Sequence, residues 1–322
     1  RRQAKCEKSH EKYSKEFQII MKIMKFGGTS VAHASNINKV IDIILESQAK
    51  RDDISIVVSA LSGITDDLIK LANFASKRDL KYKIIFKGIC GKHDQVIKEL
   101  IDSKNKKKVL RELNKKYKEL EEIVKSIFST QKLSLSSLDA VMSFGEQLSS
   151  YIISEAIKSR DVLCEFVDSR TVIKTDDNFG SANVDIETSY KLISKRLKNK
   201  HTLAIMGGFI ASAKNGATTT LSRGGSDYTA SLVGAALEAS VIEIWTDVDG
   251  IMTADPRKMK NALLIPEISY EKAEEMAYNG AKVIHPKTIR PAVLKNIPIY
   301  IKNTFNPTGS GTLIGNKNEK IK

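Results

Sequence analysis

The chain has 322 residues, 41% hydrophobic and 28% charged, with a formal net charge of +14. This is a globular composition, long enough for one large domain or two moderate ones, with no uninterrupted apolar run near the ~18 residues a membrane span needs. The basic excess is dispersed over helical stretches with few aromatics between them, so neither nucleic acid nor a membrane is expected as a partner.

Cys6, Cys90 and Cys164 share no metal-ligand spacing and are too few and too odd for a disulfide framework. A reducing cytoplasm fits, and no metal site built from protein side chains is expected. Residues 1–20 are basic but have no apolar core or small-residue cleavage site, so they do not read as a secretory signal. Met21 looks like the natural start, and residues 1–20 read as a non-native or disordered extension.

The first strand is "MKIMKF", running into "GGTS" at residues 27–30. A tight turn would use those glycines for positive φ. A polyphosphate site would use them as open backbone N–H groups beside the ammonium of Lys25. A helical pattern "NINKVIDIILESQAK" and a second apolar run "ISIVVSAL" follow. From Asp66 to Leu138 the pattern turns to long helices, with Leu113, Tyr117, Leu120, Val124 and Ile127 on one stripe. This stretch, 66–138, reads as a helical insertion packed on the body.

In "SFGEQLSSYIISEAI" Glu146 opens an amphipathic helix, where the helix dipole alone favours an acid; its functional use would be to hold a substrate ammonium. The strands "VLCEFVDS" and "TLAIMGGFI" lead to "TTTLSRGGSDYTASLVGAALEA". There Gly224 and Gly225 loosen the backbone, Ser226 or Asp227 caps a small-residue helix, and Arg223 offers a planar fork to an anion. The strand "VIEIWTDV" runs into Thr246 and Asp247, and "IPIYIKN" is the last long apolar run. Continuous apolar strands separated by helices predict an α/β fold, a three-layer α/β/α sandwich around a mainly parallel open sheet. The loop after a parallel strand lies where such sheets bind nucleotides. Neither a GxxxxGK[ST] loop nor the "HRD" and "DFG" strings of protein kinases occur, so a nucleotide site here follows another design. His285 and the lone Trp245 read as structural.

Taken in order, "KFGGTS", "SFGE", "GGF", "RGGSDYTA", "WTDVDGIMTADPR" and "GAKVIHPK" resemble the aspartate kinases of the amino acid kinase family. The resemblance covers about Met21 to Ile314 and implies a catalytic domain over 21–315, a tail at 316–322, and no C-terminal ACT regulatory domains. It implies transfer of the ATP γ-phosphoryl group, with Mg²⁺, to the side-chain carboxylate of L-aspartate. That reaction opens lysine, threonine, methionine and diaminopimelate synthesis. By the same resemblance Lys25 neutralises the transferring phosphate, Asp227 orients Lys25, and Gly27, Gly28 and Gly225 offer N–H groups. Arg223 would pair with the substrate α-carboxylate and Glu146 with its ammonium, while Thr65 and Ser226 hydrogen-bond the amino acid. Thr246, Asp247, Arg257 and Lys282 would contact the nucleotide, and a homodimer is compatible with the family. The family's usual glycine before "RGGSD" is Ser222 here, which would be strained if that position needs positive φ. Two other readings stay open on the residues: another amino acid kinase, or a catalytically silent binding module.

Overall fold

Buried parallel strands need apolar side chains on both faces, and the Ile- and Val-rich runs supply them. The structure, a computed structural model, describes residues 20–316 apart from 51, 199–201, 255–258, 260 and 279–283. Its elements run β1 (Met21–Phe26), α1 (Ala34–Ala49), β2 (Asp53–Val58), α2 (Ile64–Ser76), α3 (Lys81–Leu100), α4 (Ser103–Thr130), α5 (Leu135–Met142) and α6 (Phe144–Lys158). Then come β3 (Cys164–Val167), β4 (Lys174–Thr175), α7 (Ile186–Leu197), β5 (Leu203–Gly207), β6 (Ile210–Ala213), β7 (Thr218–Thr220) and α8 (Gly225–Leu237). The last are β8 (Val241–Thr246), β9 (Glu267–Ile268), α9 (Tyr270–Tyr278), α10 (Pro286–Leu294), β10 (Ile299–Asn303) and β11 (Thr312–Ile314).

The main sheet has the order β3-β5-β2-β1-β8-β10-β11-β9 and is parallel except where β10 meets β11. Alternation along each strand divides its side chains between two cores. Met24 and Phe26 of β1, with Ile56 and Val58 of β2, pack under α1 to α6. Ile23 and Val57, with Ile242 and Ile244 of β8, pack under α7 to α10. The fold is therefore a three-layer α/β/α sandwich. β1 has β2 on one side and β8 on the other, so the loops leaving the ends of these three strands meet at the point where the strand order reverses.

On α4 the stripe Leu113, Tyr117, Leu120, Val124 and Ile127 is buried as its spacing predicts, joined by Val109. Two expectations are corrected. The run "TLAIMGGFI" is two strands, because β6 leaves the main sheet and joins a second, three-stranded one ordered β4-β6-β7. And α6 is not amphipathic: it is buried on nearly every face, Ser149, Ser150 and Ser154 included. Its serines turn their hydroxyls onto carbonyls, Ser149 to Ser59 and Ser154 to Tyr151, each at 2.8 Å, which removes the cost of burying them. No helix among the described residues is long and apolar enough to cross a membrane.

Candidate active site

Lys25 is an ammonium set in an apolar strand, and only 8% of it is exposed. A charge so placed needs a partner, and Asp227 in the first turn of α8 provides one: Nζ and Oδ1 are 2.6 Å apart. Beyond β1 the chain keeps to the sheet edge, with the Gly27 N–H donating to the Trp245 carbonyl at 3.0 Å. A Cβ on Gly28 would lie 3.2 Å from the Ala60 carbonyl, so the loops after β1 and β2 meet across bare backbone.

The helix behind this pair starts two to three residues earlier than the sequence suggests. Gly224, at φ 77°, is the N-cap of α8, and neither Ser226 nor Asp227 caps it by side chain. Leaving the cap to a glycine keeps the first-turn N–H groups of Gly225, Ser226 and Asp227 free of intrahelical partners, with the positive end of the helix dipole behind them. Ser226 is seated from two sides: Ser59 Oγ donates to its Oγ at 3.0 Å, and a Cβ on Gly208 would lie 2.6 Å from its Cα. Phe209, next in the chain, holds φ 65°, a left-handed conformation uncommon outside glycine.

Glu146, at the start of α6, is 3% exposed. Its Oε1 accepts the Ala60 N–H at 3.2 Å, and its Oε2 is buried with no hydrogen-bond partner. Burial pushes its carboxyl up to about 8. The close seat explains the glycine opposite, since a Cβ on Gly207 would lie 2.8 Å from the Glu146 Cβ.

These groups line one cleft of about 500 Å³. Of the residues singled out from the sequence, Lys25, Gly27, Gly28, Thr65, Glu146, Arg223, Gly225, Ser226, Asp227 and Thr246 all line it. Arg223 is exposed at the rim and makes no ion pair with a described residue. Asp247 is outside the lining and accepts the Thr246 hydroxyl at 3.2 Å. Arg257 and Lys282 lie outside the described residues. The cleft also takes in Ser59, Ser62, Gly63 and Phe209, which the sequence reading passed over. The signal for the first three was present: "SALSG" after β2 is a second serine- and glycine-bearing strand end beside "FGGTS".

Ser222 lines the cleft without strain, because it is not among the residues with positive φ; Gly224 takes that conformation instead. Trp245 is 3% exposed and stacks on Phe26 at 5.9 Å, a core residue as expected. His285 is exposed, and its carbonyl accepts the Thr288 N–H at 2.9 Å. Among the described residues no cluster of three His, Cys, Asp or Glu side chains could hold a metal ion. The arrangement can hold a polyanion against a cation and free N–H groups at one side, and it buries an unsatisfied carboxylate oxygen in the same space.

The family model described as the amino acid kinase family matches residues 21–303. Lysine-sensitive aspartokinase 3 of Escherichia coli (strain K12) is 38% identical over 311 residues, 92% of this chain and 64% of that protein. Bifunctional aspartokinase/homoserine dehydrogenase 1, chloroplastic, of Zea mays is 36% identical over 297 residues, 91% of this chain and 32% of that protein. The crystal structure of E. coli aspartokinase III in complex with aspartate and ADP (R-state) superposes with a TM-score of 0.85 at 36% identity, covering 93% of this chain and 65% of that one. The chain thus spans about a third of the bifunctional relative and just under two thirds of the E. coli one.

Proposed function

The chain belongs to the amino acid kinase family, and from that premise we propose that it transfers the γ-phosphoryl group of ATP to the side-chain carboxylate of L-aspartate, giving 4-phospho-L-aspartate and ADP. The observation that carries the choice of acceptor is the buried, unpartnered Oε2 of Glu146 in the same cleft as the Lys25–Asp227 pair. A substrate ammonium is the group that satisfies it. The aspartate and ADP bound in the E. coli structure support the same reading.

The acceptor carboxylate, with a reference pKa of ~3.9, is ionised at neutral pH, so no general base is needed to make the nucleophile. What the site must do is bring two anions together and stabilise charge on the phosphoryl group in flight. Lys25, held in place by Asp227, takes the cationic role there. The N–H groups of Gly28 and Gly225 offer donors along the phosphate path, whereas that of Gly27, expected from the sequence to do the same, is taken by the Trp245 carbonyl. Glu146 binds the α-ammonium and Arg223 the α-carboxylate, while Thr65 and Ser226 hydrogen-bond the amino acid. Opposite charges reading opposite charges select a zwitterionic acceptor. Thr246 and Asp247, with Arg257 and Lys282, serve the nucleotide. Magnesium would arrive with the nucleotide, held mostly by phosphate oxygens and water.

The test is ATP-dependent acyl-hydroxamate formation with L-aspartate, L-glutamate or no acceptor, because hydroxylamine traps an acyl phosphate. Signal with aspartate alone, lost in Lys25→Ala, is the expected result. Folded protein that binds ATP yet gives no aspartate-dependent signal would overturn the assignment.

A further inference from the structure

Lys92 sits on α3, half-buried, and its ammonium donates to the main-chain carbonyl of Ser62, 30 residues away. It pairs with no described carboxylate, so the carbonyl is the partner that holds it. The flanking carbonyls are taken locally: Leu61 accepts from Ile64 N–H and Gly63 from Asp67 N–H, each at 3.0 Å. Ser62 is thus the point in this loop that a distant helix grips.

The loop matters because of what it presents. Ser59 Oγ reaches Ser226, Ala60 N–H reaches Glu146, and Thr65 follows on the cleft wall. Its near end is tied to α6, by Ser149 Oγ on the Ser59 carbonyl at 2.8 Å and by Glu146 on Ala60 N–H. Its far end, where it turns into α2 at Gly63 with φ 78°, has no such tie among the described residues except Lys92. We infer that Lys92 is a positioning residue for the acceptor half of the cleft: its ammonium, gripping the Ser62 carbonyl from α3, sets where Thr65 and the Ala60–Glu146 contact stand.

This inference rests on the aspartate-kinase reading above. The groups proposed for phosphate, Lys25 and Gly225, are held on β1 and α8 by contacts of their own, so loosening Ser62 acts on the amino acid before it acts on ATP.

The experiment is steady-state kinetics of the full chain and of Lys92→Met, Lys92→Gln and Lys92→Arg, with thermal unfolding to confirm that each is folded. Losing a charge-assisted hydrogen bond predicts that KM for L-aspartate rises about tenfold in the Met and Gln variants. KM for ATP stays within about twofold, and Arg, which keeps the charge and the donors, restores the aspartate value. An unchanged aspartate KM in an active Met variant overturns the inference. So does an equal rise in both KM values that Arg does not reverse, because that marks a general structural role. Wild-type protein with no aspartate-dependent turnover overturns the underlying assignment and this inference together, whereas the previous two results leave the assignment standing.

Discussion

Nζ of Lys25 and Oδ1 of Asp227 lie 2.6 Å apart with side chains only 11% and 14% exposed, one at the end of the first strand and the other in the first turn of a helix 200 residues later. Such a pair acts as a unit. Lys25→Ala is expected to lower kcat by about two to three orders of magnitude, the scale for removing one preorganised donor from developing charge. Asp227→Asn should cost less by itself. The double variant should fall little below Lys25→Ala, because an unpaired Asp227 has no cation left to orient. A double-mutant cycle in kcat decides it, and fully additive losses would separate the two roles.

Glu146 links acceptor binding to pH. Its carboxyl is raised from 4.5 to about 8 by burial, so between those values the folded protein holds a proton that the unfolded chain has released. The sign follows from linkage: stability from this group is greatest at low pH, falls as pH rises through that window, and levels off above about 8. Glu146→Gln removes that slope and is expected to raise the unfolding midpoint at neutral pH while abolishing aspartate binding and sparing ATP binding. In the wild type, an ammonium that favours the ionised carboxylate should displace a proton on binding. Calorimetry of L-aspartate in two buffers of different ionisation enthalpy measures it, and heats independent of buffer at pH 7 would contradict the prediction.

How much of this was legible in the chain depended on whether a residue's role is local. Buried parallel strands write continuous apolar runs, so β1, β2, β8 and β10 stood out, and a lysine inside such a run drew attention to Lys25. The second sheet did not stand out, because its strands are two to four residues long and two of them, KT and TTT, are spelled in polar letters. Thr219 and Thr220 are fully buried because their hydroxyls are met by Thr175 and by the buried carboxylate of Asp139, contacts 44 and 81 residues away. The burial of α6 was hidden in the same way by serines that satisfy themselves on carbonyls. Among the site residues, Phe209 owes its place to the loops it meets, and spacing carries no trace of that.

Two glycines make a paired test of close approach. A Cβ on Gly208 would meet Ser226 Cα at 2.6 Å, backbone that can yield only by moving the start of α8. Gly208→Ala should therefore destabilise by about 1–3 kcal/mol, as overpacking does, and reduce activity with it. Gly91, exposed within α3, has nothing within 4 Å of a new Cβ. There Gly91→Ala should stabilise by about 0.5–1 kcal/mol through helix propensity alone and leave activity untouched. Denaturant unfolding of both variants checks the contrast, and equal effects would mean that the tight seat of Ser226 is not a constraint.

The serine that departs from the family's usual glycine should prove neutral, and its neighbour should not. Ser222 is outside the left-handed region, so Ser222→Gly relieves no strain there, and kcat/KM is expected to stay within about twofold. Gly224 holds φ 77°, and a Cβ there would stand 2.8 Å from Thr288 Cγ2 on α10. Gly224→Ala therefore meets both a backbone penalty of about 1 kcal/mol and a contact that must yield. Because Gly224 is the cap that leaves the first-turn N–H groups of α8 open, the loss should appear in KM for ATP as well as in stability. Kinetics of the two variants side by side tests this: a large gain from Ser222→Gly would mean that the loop is held against its preference at the serine, and that the opening of α8 is set there instead of at Gly224.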